Sequence, residues 1–461
     1  MSAELSPTKE NVLFTLEENL LGRNAELLRF LELLNGINEA MSISLNGYWG
    51  SGKTFFVKQA ELSLNCLNPF SNSLTEEERS RISSCFMKIK SDWLNESYKP
   101  QIAVYYDAWA NDNDVDPVLS IVYSIIKAID SNYKITEDSG FLKIAGSILD
   151  CISGKEITRA LESLSGKDPL KIIREQHELT GLLKRFLQDV ILERGDRLVV
   201  FVDELDRCRP SYAVQLLERI KHYFEIDNVT FVFSINSKEL QHTVKRCYGE
   251  HFSAGRYLNR FFDVRISLPP VNNQNLYQKM GLENSEWVYD RNCRKVIELF
   301  GLELREIHRF WRIANIAAFA PTHVRSRNFL SSNERGAQYN LLYIVPLLIG
   351  LQILDMSQYE AFISGSYCEP LEKLMALYDN CEDILAPFLS PDRTFHYRHD
   401  NKIQVDINDI IREWYEAIFA NSYGIYNDSH VMGELTFGKY HRQEILKVVS
   451  LLSPFAKYDN A

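Results

Sequence analysis

Residues 47–54 read GYWGSGKT, and this stretch constrains the fold more than any other part of the chain. The segment before it, SISLNG (42–47), predicts a short strand that stops at a glycine, and TFFVKQAELSL after it predicts a helix. The glycines at 47 and 52 would let the backbone wrap with its N–H groups pointing inward at an anion. Strand, glycine loop and helix in this order predict a phosphate-binding loop.

Four further segments have the pattern of buried strands. Residues 102–109, 197–205 and 229–236 are mostly apolar runs that end in polar residues, and 261–269 is a fifth candidate. Near-continuous apolar strands separated by helical stretches indicate an α/β fold in which a parallel sheet is flanked by helices. We expect a core domain at 1–270, built around the phosphate loop and carrying a helical insertion at about 130–190, followed by a helical lid and C-terminal domain at 271–461.

Composition limits the classes of partner. The 461 residues carry a net charge of −11, which disfavours coating of nucleic acid over a broad face but leaves a local basic groove open. Eight scattered cysteines without a CxxC pair, and a start without signal-peptide features, predict reduced thiols in a cytoplasmic protein. The apolar run 341–354 is too short for a membrane span and contains Pro346, so it predicts a buried helix without a membrane span.

The loop satisfies the Walker A pattern in full, with Gly47, Gly52, Lys53 and Thr54 at the required spacing. Lys53 should reach the β- and γ-phosphates of ATP, and the Thr54 hydroxyl should ligate Mg²⁺. The positive end of the following helix adds to phosphate binding. The predicted cofactor-binding residues are Gly47, Tyr48, Trp49, Gly50, Ser51, Gly52, Lys53, Thr54 and Phe55.

An acidic pair, Asp203 and Glu204, ends the strand RLVVFVDE. Beside a phosphate loop, Asp203 can hold the Mg²⁺ shell and Glu204 can polarise a water for attack on the γ-phosphate. A solvated loop acid is the alternative, and that interpretation suits Asp206 or Glu218 better than a pair at a strand end.

Other polar residues near the predicted strand ends have two open interpretations. Asn236 could contact the γ-phosphate or the attacking water, or it could be a strand-end turn residue. Arg256 and Arg260 are four apart, so a helix would place both on one face, where either could serve as an arginine finger in trans or as a surface ion-pair partner. Asp107 could influence the metal, whereas Trp109 is expected to pack.

One later stretch carries weaker signals. RTFHYRHDN (393–401) interleaves basic and aromatic residues and includes His396 and His399, which could indicate nucleic-acid contact or a metal site. No matching acid or cysteine pattern accompanies it, so an exposed polar loop is favoured.

Together these residues resemble the KAP family of P-loop NTPases. LLGR, GYWGSGKT, YYDAW and above all VVFVDELDRCRP are similar to that family's pattern, and SINSKEL, RYLNRFFDVRISLP and LELREIHRFWR continue it over roughly residues 17–320. The resemblance implies an AAA+-like ATPase core with an additional strand, with Glu204 as the hydrolytic carboxylate, and assembly through nucleotide-dependent contacts. It also implies a link to phage exclusion and defence gene clusters in bacteria.

Two departures from the family pattern bear on function. Many members carry two membrane helices between the Walker motifs, and the insertion at about 130–190 has none. Many have two aspartates where this chain has Asp203 and Glu204, a change that strengthens the expectation of hydrolysis. Arg305 or Arg309 could act as a second sensor arginine or could be a helix-surface charge.

Three functions therefore compete. The first is a regulatory ATPase that works as a homo-oligomer with a partner protein from the same operon. The second is a nucleotide-gated scaffold with little hydrolysis. The third, a small-molecule kinase, is disfavoured because neither a lid nor an acceptor site can be identified and the acid pair points to water as the acceptor.

Overall fold

All five expected strands form one parallel sheet in the computed structural model. They are β1 (Met41–Asn46), β2 (Gln101–Asp107), β3 (Arg197–Asp203), β4 (Val229–Ile235) and β5 (Val264–Ser267), in the order β2-β3-β4-β1-β5. Every residue of β3 and β4 is buried, which explains their continuous apolar runs. Because the strands are parallel, the carboxyl ends of β1, β3 and β4 lie at the same edge. The predicted α/β class is confirmed.

The structure describes residues 6–91, 98–114, 116–132, 169–318, 335–395, 403–420 and 429–450. They divide into two compact units, Ser6–Asn275 and Leu276–Ala461. Most of the expected insertion at 130–190 and most of the stretch 393–401, including His396 and His399, lie outside the described residues.

Nine helices accompany the sheet in the described part of the first unit. Their ends follow local capping chemistry: Thr75 and Glu78 form a reciprocal capping box, Pro210 opens a helix, and the Asn236 side chain caps another. The helices are α1 (Lys9–Glu17), α2 (Asn24–Gly36), α3 (Lys53–Leu67), α4 (Glu76–Met87), α5 (Pro117–Asn132), α6 (Pro169–Arg194), α7 (Pro210–Tyr223), α8 (Ser237–Tyr248) and α9 (Ala254–Leu258).

The second unit is mainly helical, with two short strand pairs that the sequence did not signal. Its helices, with α10 crossing from the first unit, are α10 (Gln274–Met280), α11 (Val288–Phe300), α12 (Leu304–Ala318), α13 (Arg335–Tyr339), α14 (Val345–Leu354), α15 (Met356–Ile363), α16 (Glu369–Met375), α17 (Cys381–Leu385), α18 (Ile407–Phe419) and α19 (Lys439–Val449). The strands are β6 (Arg393–Thr394), β7 (Ile403–Gln404), β8 (Ser429–Met432) and β9 (Leu435–Gly438).

The helix that contains Pro346 is longer than the apolar run 341–354 predicted from the sequence. A π-helical turn at Asn340–Ile344 joins α13 to α14, and Pro346 sits at the start of α14 without ending the run. Within the described residues, Arg335–Leu354 is the one helix long and apolar enough to cross a membrane by length and composition, with a mean hydropathy of 1.5 and 56% of its apolar window buried. Buried core helices meet the same test, and all of Val345–Leu351 is buried as expected.

Candidate functional site

The loop between β1 and α3 has the geometry that its glycines predict. Gly52 adopts a left-handed conformation with φ of 83° immediately before the first residue of α3, Lys53. The Lys53 Nζ folds back and donates to the carbonyls of Gly47 at 2.8 Å and Tyr48 at 3.0 Å. A Cβ at Gly47 would lie 2.7 Å from Ser51 Oγ and 3.1 Å from Lys53 Cγ, so a larger residue here would require the Ser51 and Lys53 side chains to move.

Two opposing effects act on the pKa of the Lys53 ammonium group. Burial lowers the pKa of its ammonium group, and the carboxylates of Asp206, Asp203 and Glu204 act in the opposite direction. Because Lys53 is held by two carbonyls of its own loop, it can exchange these hydrogen bonds for phosphate oxygens without leaving the site.

The remaining loop residues differ in what they present. Tyr48 and Trp49 are exposed, and the Lys238 Nζ lies 5.7 Å from the centre of the Tyr48 ring. Thr54 is partly exposed, whereas the Phe55 side chain is buried in the core, so only the Phe55 backbone is available to a ligand. The groups of the loop suited to phosphate and metal are thus the glycine backbone N–H groups, the Lys53 ammonium and the Thr54 hydroxyl.

Asp203 ends β3, and its side chain is held from two sides. Its carboxylate accepts from the Tyr105 hydroxyl at 3.1 Å and from the Glu204 backbone N–H at 3.0 Å, and the residue is only 1% exposed. Burial and the Asp203 charge raise the pKa of Tyr105, so its phenol stays a donor. The Asp203 carboxylate is fixed at the carboxyl edge of the sheet, where nucleotides bind in folds of this kind.

A magnesium ion fits the donors present. The Thr54 hydroxyl and the fixed Asp203 carboxylate are hard oxygen ligands, and Mg²⁺ is usually bound by one or two protein carboxylates together with phosphate oxygens. Among the described residues, no group of three or more histidine, cysteine or acidic side chains could hold a metal on its own. Phosphate oxygens of a ligand would complete the coordination of Mg²⁺ in the way that is usual for this ion.

Glu204 follows Asp203 in an unusual backbone conformation. Its φ of 61° and ψ of 23° are left-handed, which is uncommon outside glycine and recurs at functional sites. Its Oε2 lies 2.5 Å from the Nε of Arg207, with Glu204 14% and Arg207 25% exposed at the side chain. The Arg207 guanidinium carbon is in turn 5.9 Å from the Trp49 ring centre and 5.8 Å from the Trp109 ring centre.

Two expectations about this region are wrong. Asp206 is not a solvated loop acid: it is 5% exposed and its Oδ2 accepts from Trp49 Nε1 at 2.5 Å. Trp109 does not pack into the core, because 54% of it is exposed and its ring faces Arg207. Both differences arise because residues distant in sequence meet at the carboxyl edge of the sheet.

Arg23 is a contributor that sequence reasoning missed. Its Nη1 donates to the Ser51 carbonyl at 2.6 Å, its Nη2 donates to the Pro269 carbonyl, and the residue is buried. The guanidinium thus joins the phosphate loop to the chain that follows β5. The only signal for this role was the position of Arg23 in the lead-in LLGR.

Asn236 is a turn residue at the end of β4, which is one of the two interpretations that its sequence position left open. Its Oδ1 accepts from the backbone N–H groups of Lys238 at 3.1 Å and Glu239 at 3.5 Å, as a helix cap. The Asn46 side chain accepts from the Ser237 N–H at 2.8 Å, which ties the ends of β1 and β4 together. A contact between Asn236 and phosphate would have to use its amide nitrogen.

The arginine candidates are placed differently from expectation. The spacing of Arg256 and Arg260 predicted that both would lie on one face of a helix. Helix α9 instead ends at Leu258, so Arg260 lies beyond it and shares no helical face with Arg256. Both side chains are exposed. Arg305 and Arg309 lie in α12, in the second unit, and a sensor role for either stays a prediction.

Asp107 lies at the end of β2, beside Asp203 in the register of the two strands. Its Oδ1 accepts from the Ala110 N–H at 2.9 Å and so stabilises the following turn. Its influence on a metal stays a prediction.

A model of the KAP family P-loop domain matches residues 23–318, more than half of the chain. The chain belongs to the KAP family of P-loop NTPases. The matched region begins at Arg23, includes the phosphate loop and the acidic pair, and ends with α12. No curated protein matched the sequence. The membership that the motifs suggested is confirmed, and with it a nucleotide-binding NTPase domain in this chain.

Proposed function

We propose that this KAP-family chain binds and hydrolyses ATP with Mg²⁺ to drive nucleotide-dependent assembly or switching. The observation that carries the proposal is the pair Asp203 and Glu204 at the end of β3, in an electrostatic neighbourhood shared with Lys53 of the phosphate loop. A phosphate loop alone supports binding, whereas the added acid next to the metal ligand supports attack by water.

Each residue would have one task. Lys53 would bind the β- and γ-phosphates, Thr54 and Asp203 would hold the metal, and Glu204 would orient and polarise the attacking water. Mg²⁺, when bound, would neutralise charge on the phosphate oxygens. Arg256 or Arg260, both exposed, would reach a neighbouring subunit's nucleotide in a homo-oligomer.

The test is steady-state phosphate release by the wild-type chain and by Glu204→Gln. Loss of a general base typically lowers turnover by about 10²–10⁴-fold, so we expect a fall of that size with ATP affinity retained. Glu225→Gln is the control, because Glu225 is an exposed glutamate paired with Lys221 and should change neither quantity. Turnover in Glu204→Gln equal to wild type would remove Glu204 from this role.

A nucleotide-gated scaffold is the second candidate, and one observation favours it. Oε2 of Glu204 is engaged by Arg207 at 2.5 Å, so one carboxylate oxygen is already committed before any water arrives. Stoichiometric ATP retained by the purified assembly, with wild-type phosphate release no higher than background, would select the scaffold over the ATPase.

The biological setting we propose is bacterial antiphage defence in the cytoplasm, with a partner protein from the same operon. Resemblance to phage-exclusion members of the family supports this setting. Plaque counts on cells that carry the operon with wild-type chain or Lys53→Ala test it: protection should be lost with the variant. Mass measurement of the purified chain with and without ATP tests nucleotide-dependent assembly.

A further inference from the structure

Arg207 connects three separate parts of the first unit. It lies in the short 3₁₀ turn Leu205–Arg207, and its backbone N–H donates to the Glu204 carbonyl at 3.1 Å. Its guanidinium pairs with Glu204 and lies near the rings of Trp49, from the phosphate loop, and Trp109, which follows β2. A planar guanidinium can pair with a carboxylate and lie against aromatic rings at the same time, and a lysine ammonium cannot do both equally well.

Trp49 is held by the same turn at a second point. Its indole N–H donates to Asp206 Oδ2 at 2.5 Å, and Asp206 is the residue directly before Arg207. Two consecutive residues of one turn therefore contact one tryptophan of the phosphate loop, one by a hydrogen bond and one by the face of the ring. A displacement of Trp49 would therefore break or shift its contacts with Asp206 and Arg207 in this turn.

The pair Glu204–Arg207 differs from an ordinary surface ion pair. Both side chains are at least three-quarters covered, and the Glu204 backbone is fixed in a left-handed conformation by its place between β3 and the turn. With the backbone fixed, the direction of the carboxylate depends on its side-chain partners. Arg207 is the partner that also contacts the phosphate loop.

We infer that Arg207 is a positioning residue for Glu204, and that Trp49 holds Arg207 in place and so links the phosphate loop to the hydrolytic carboxylate. The inference rests on the proposed function, because it takes Glu204 as the group that acts on water. On this inference, Trp49 contributes to the rate of ATP hydrolysis and does not contribute to ATP affinity. It also predicts that Trp49 and Arg207 act as one unit.

The test compares kcat, KM and ATP affinity for Arg207→Met, Arg207→Lys, Trp49→Ala and Trp49→Phe in the full chain. Small displacements of a reacting group can cost about 10²-fold in rate, so Arg207→Met should lower kcat by roughly 10- to 100-fold with ATP affinity within about threefold of wild type. Arg207→Lys should recover only part of the loss. Trp49→Ala should match Arg207→Met, and Trp49→Phe, which keeps a ring, should lose less.

The decisive comparison is the double variant Trp49→Ala/Arg207→Met. If the two residues act as one unit, its kcat should equal that of Arg207→Met alone, whereas independent structural effects would multiply. Arg219→Met is the matched control, because Arg219 lies 5.5 Å from the Tyr223 ring centre and 3.9 Å from Asp116, the same chemistry away from the loop. It should leave kcat unchanged.

Several outcomes would overturn the inference. These are wild-type or raised kcat in Arg207→Met, a loss confined to KM, or multiplied effects in the double variant. If Arg207→Met does not fold, Arg207→Lys and Trp49→Phe decide the same question. A wild-type chain with no phosphate release above background would defeat the proposed function and this inference with it, whereas turnover that needs Glu204 but not Arg207 would defeat the inference alone.

Discussion

Replacing Arg23 by methionine should loosen the phosphate loop and destabilise the first unit. Methionine keeps much of the side-chain length and removes the donors to the Ser51 and Pro269 carbonyls. Hydrogen bonds from a charged donor contribute about 1.5–3 kcal/mol each, and because both acceptor residues are partly exposed, water can replace some of that interaction. We expect a loss of roughly 2–4 kcal/mol of unfolding free energy.

The assay is thermal and denaturant unfolding followed through the transition of Ser6–Asn275. For a domain of this size, a loss of that magnitude lowers the Tm by roughly 4–15 °C. ATP affinity should also fall, because the Ser51 carbonyl is no longer tied down. Arg29→Met is the control: Arg29 lies on α2, the helix that begins directly after Arg23, but its side chain is exposed, so its replacement should change stability by less than about 0.5 kcal/mol. Equal stability of the two variants would show that the hydrogen bonds of Arg23 to Ser51 and Pro269 do not stabilise the first unit.

Further predictions test close packing at glycines. Gly47→Ala should weaken ATP binding by roughly fivefold in equilibrium titrations, because its Cβ would lie 3.1 Å from Lys53 Cγ and would displace the side chain that binds phosphate, at an overpacking cost of about 1 kcal/mol; unchanged affinity would contradict it. Gly350→Ala would place a Cβ 2.6 Å from the Phe300 ring and should lower the Tm of the second unit by roughly 2–10 °C. Gly181→Ala, with nothing within 4 Å, should instead stabilise its helix by about 1 kcal/mol, and a loss of stability there would refute the packing argument.

The sheet and the loop were predictable because their signals are local. β3 and β4 are buried along their whole length, so their sequences are unbroken apolar runs. The conformation of Gly52 and the start of α3 at Lys53 follow from the glycine–lysine pattern itself. Polar residues at strand ends were recognisable as a group because parallel strands bring those ends to one edge.

The side-chain contacts around Glu204 could not be predicted in this way. Asp206 is buried because Trp49, 157 positions earlier, covers it and donates to it. Arg23 reaches Pro269 across 246 positions, and no pattern in either segment encodes that distance. Arg260 is an example of a local pattern that misleads. Its spacing of four from Arg256 is typical of a helix, but the helix ends at Leu258.

The most direct measurement is a structure of the chain bound to Mg²⁺ and a slowly hydrolysed ATP analogue. We expect Lys53 Nζ to leave the Gly47 and Tyr48 carbonyls and bind phosphate oxygens, and Thr54 and Asp203 to share the metal. We also expect the Glu204 carboxylate to face the γ-phosphate through a water. Phosphates bound away from residues 47–54, or Lys53 still bound to its own loop with the nucleotide present, would contradict it.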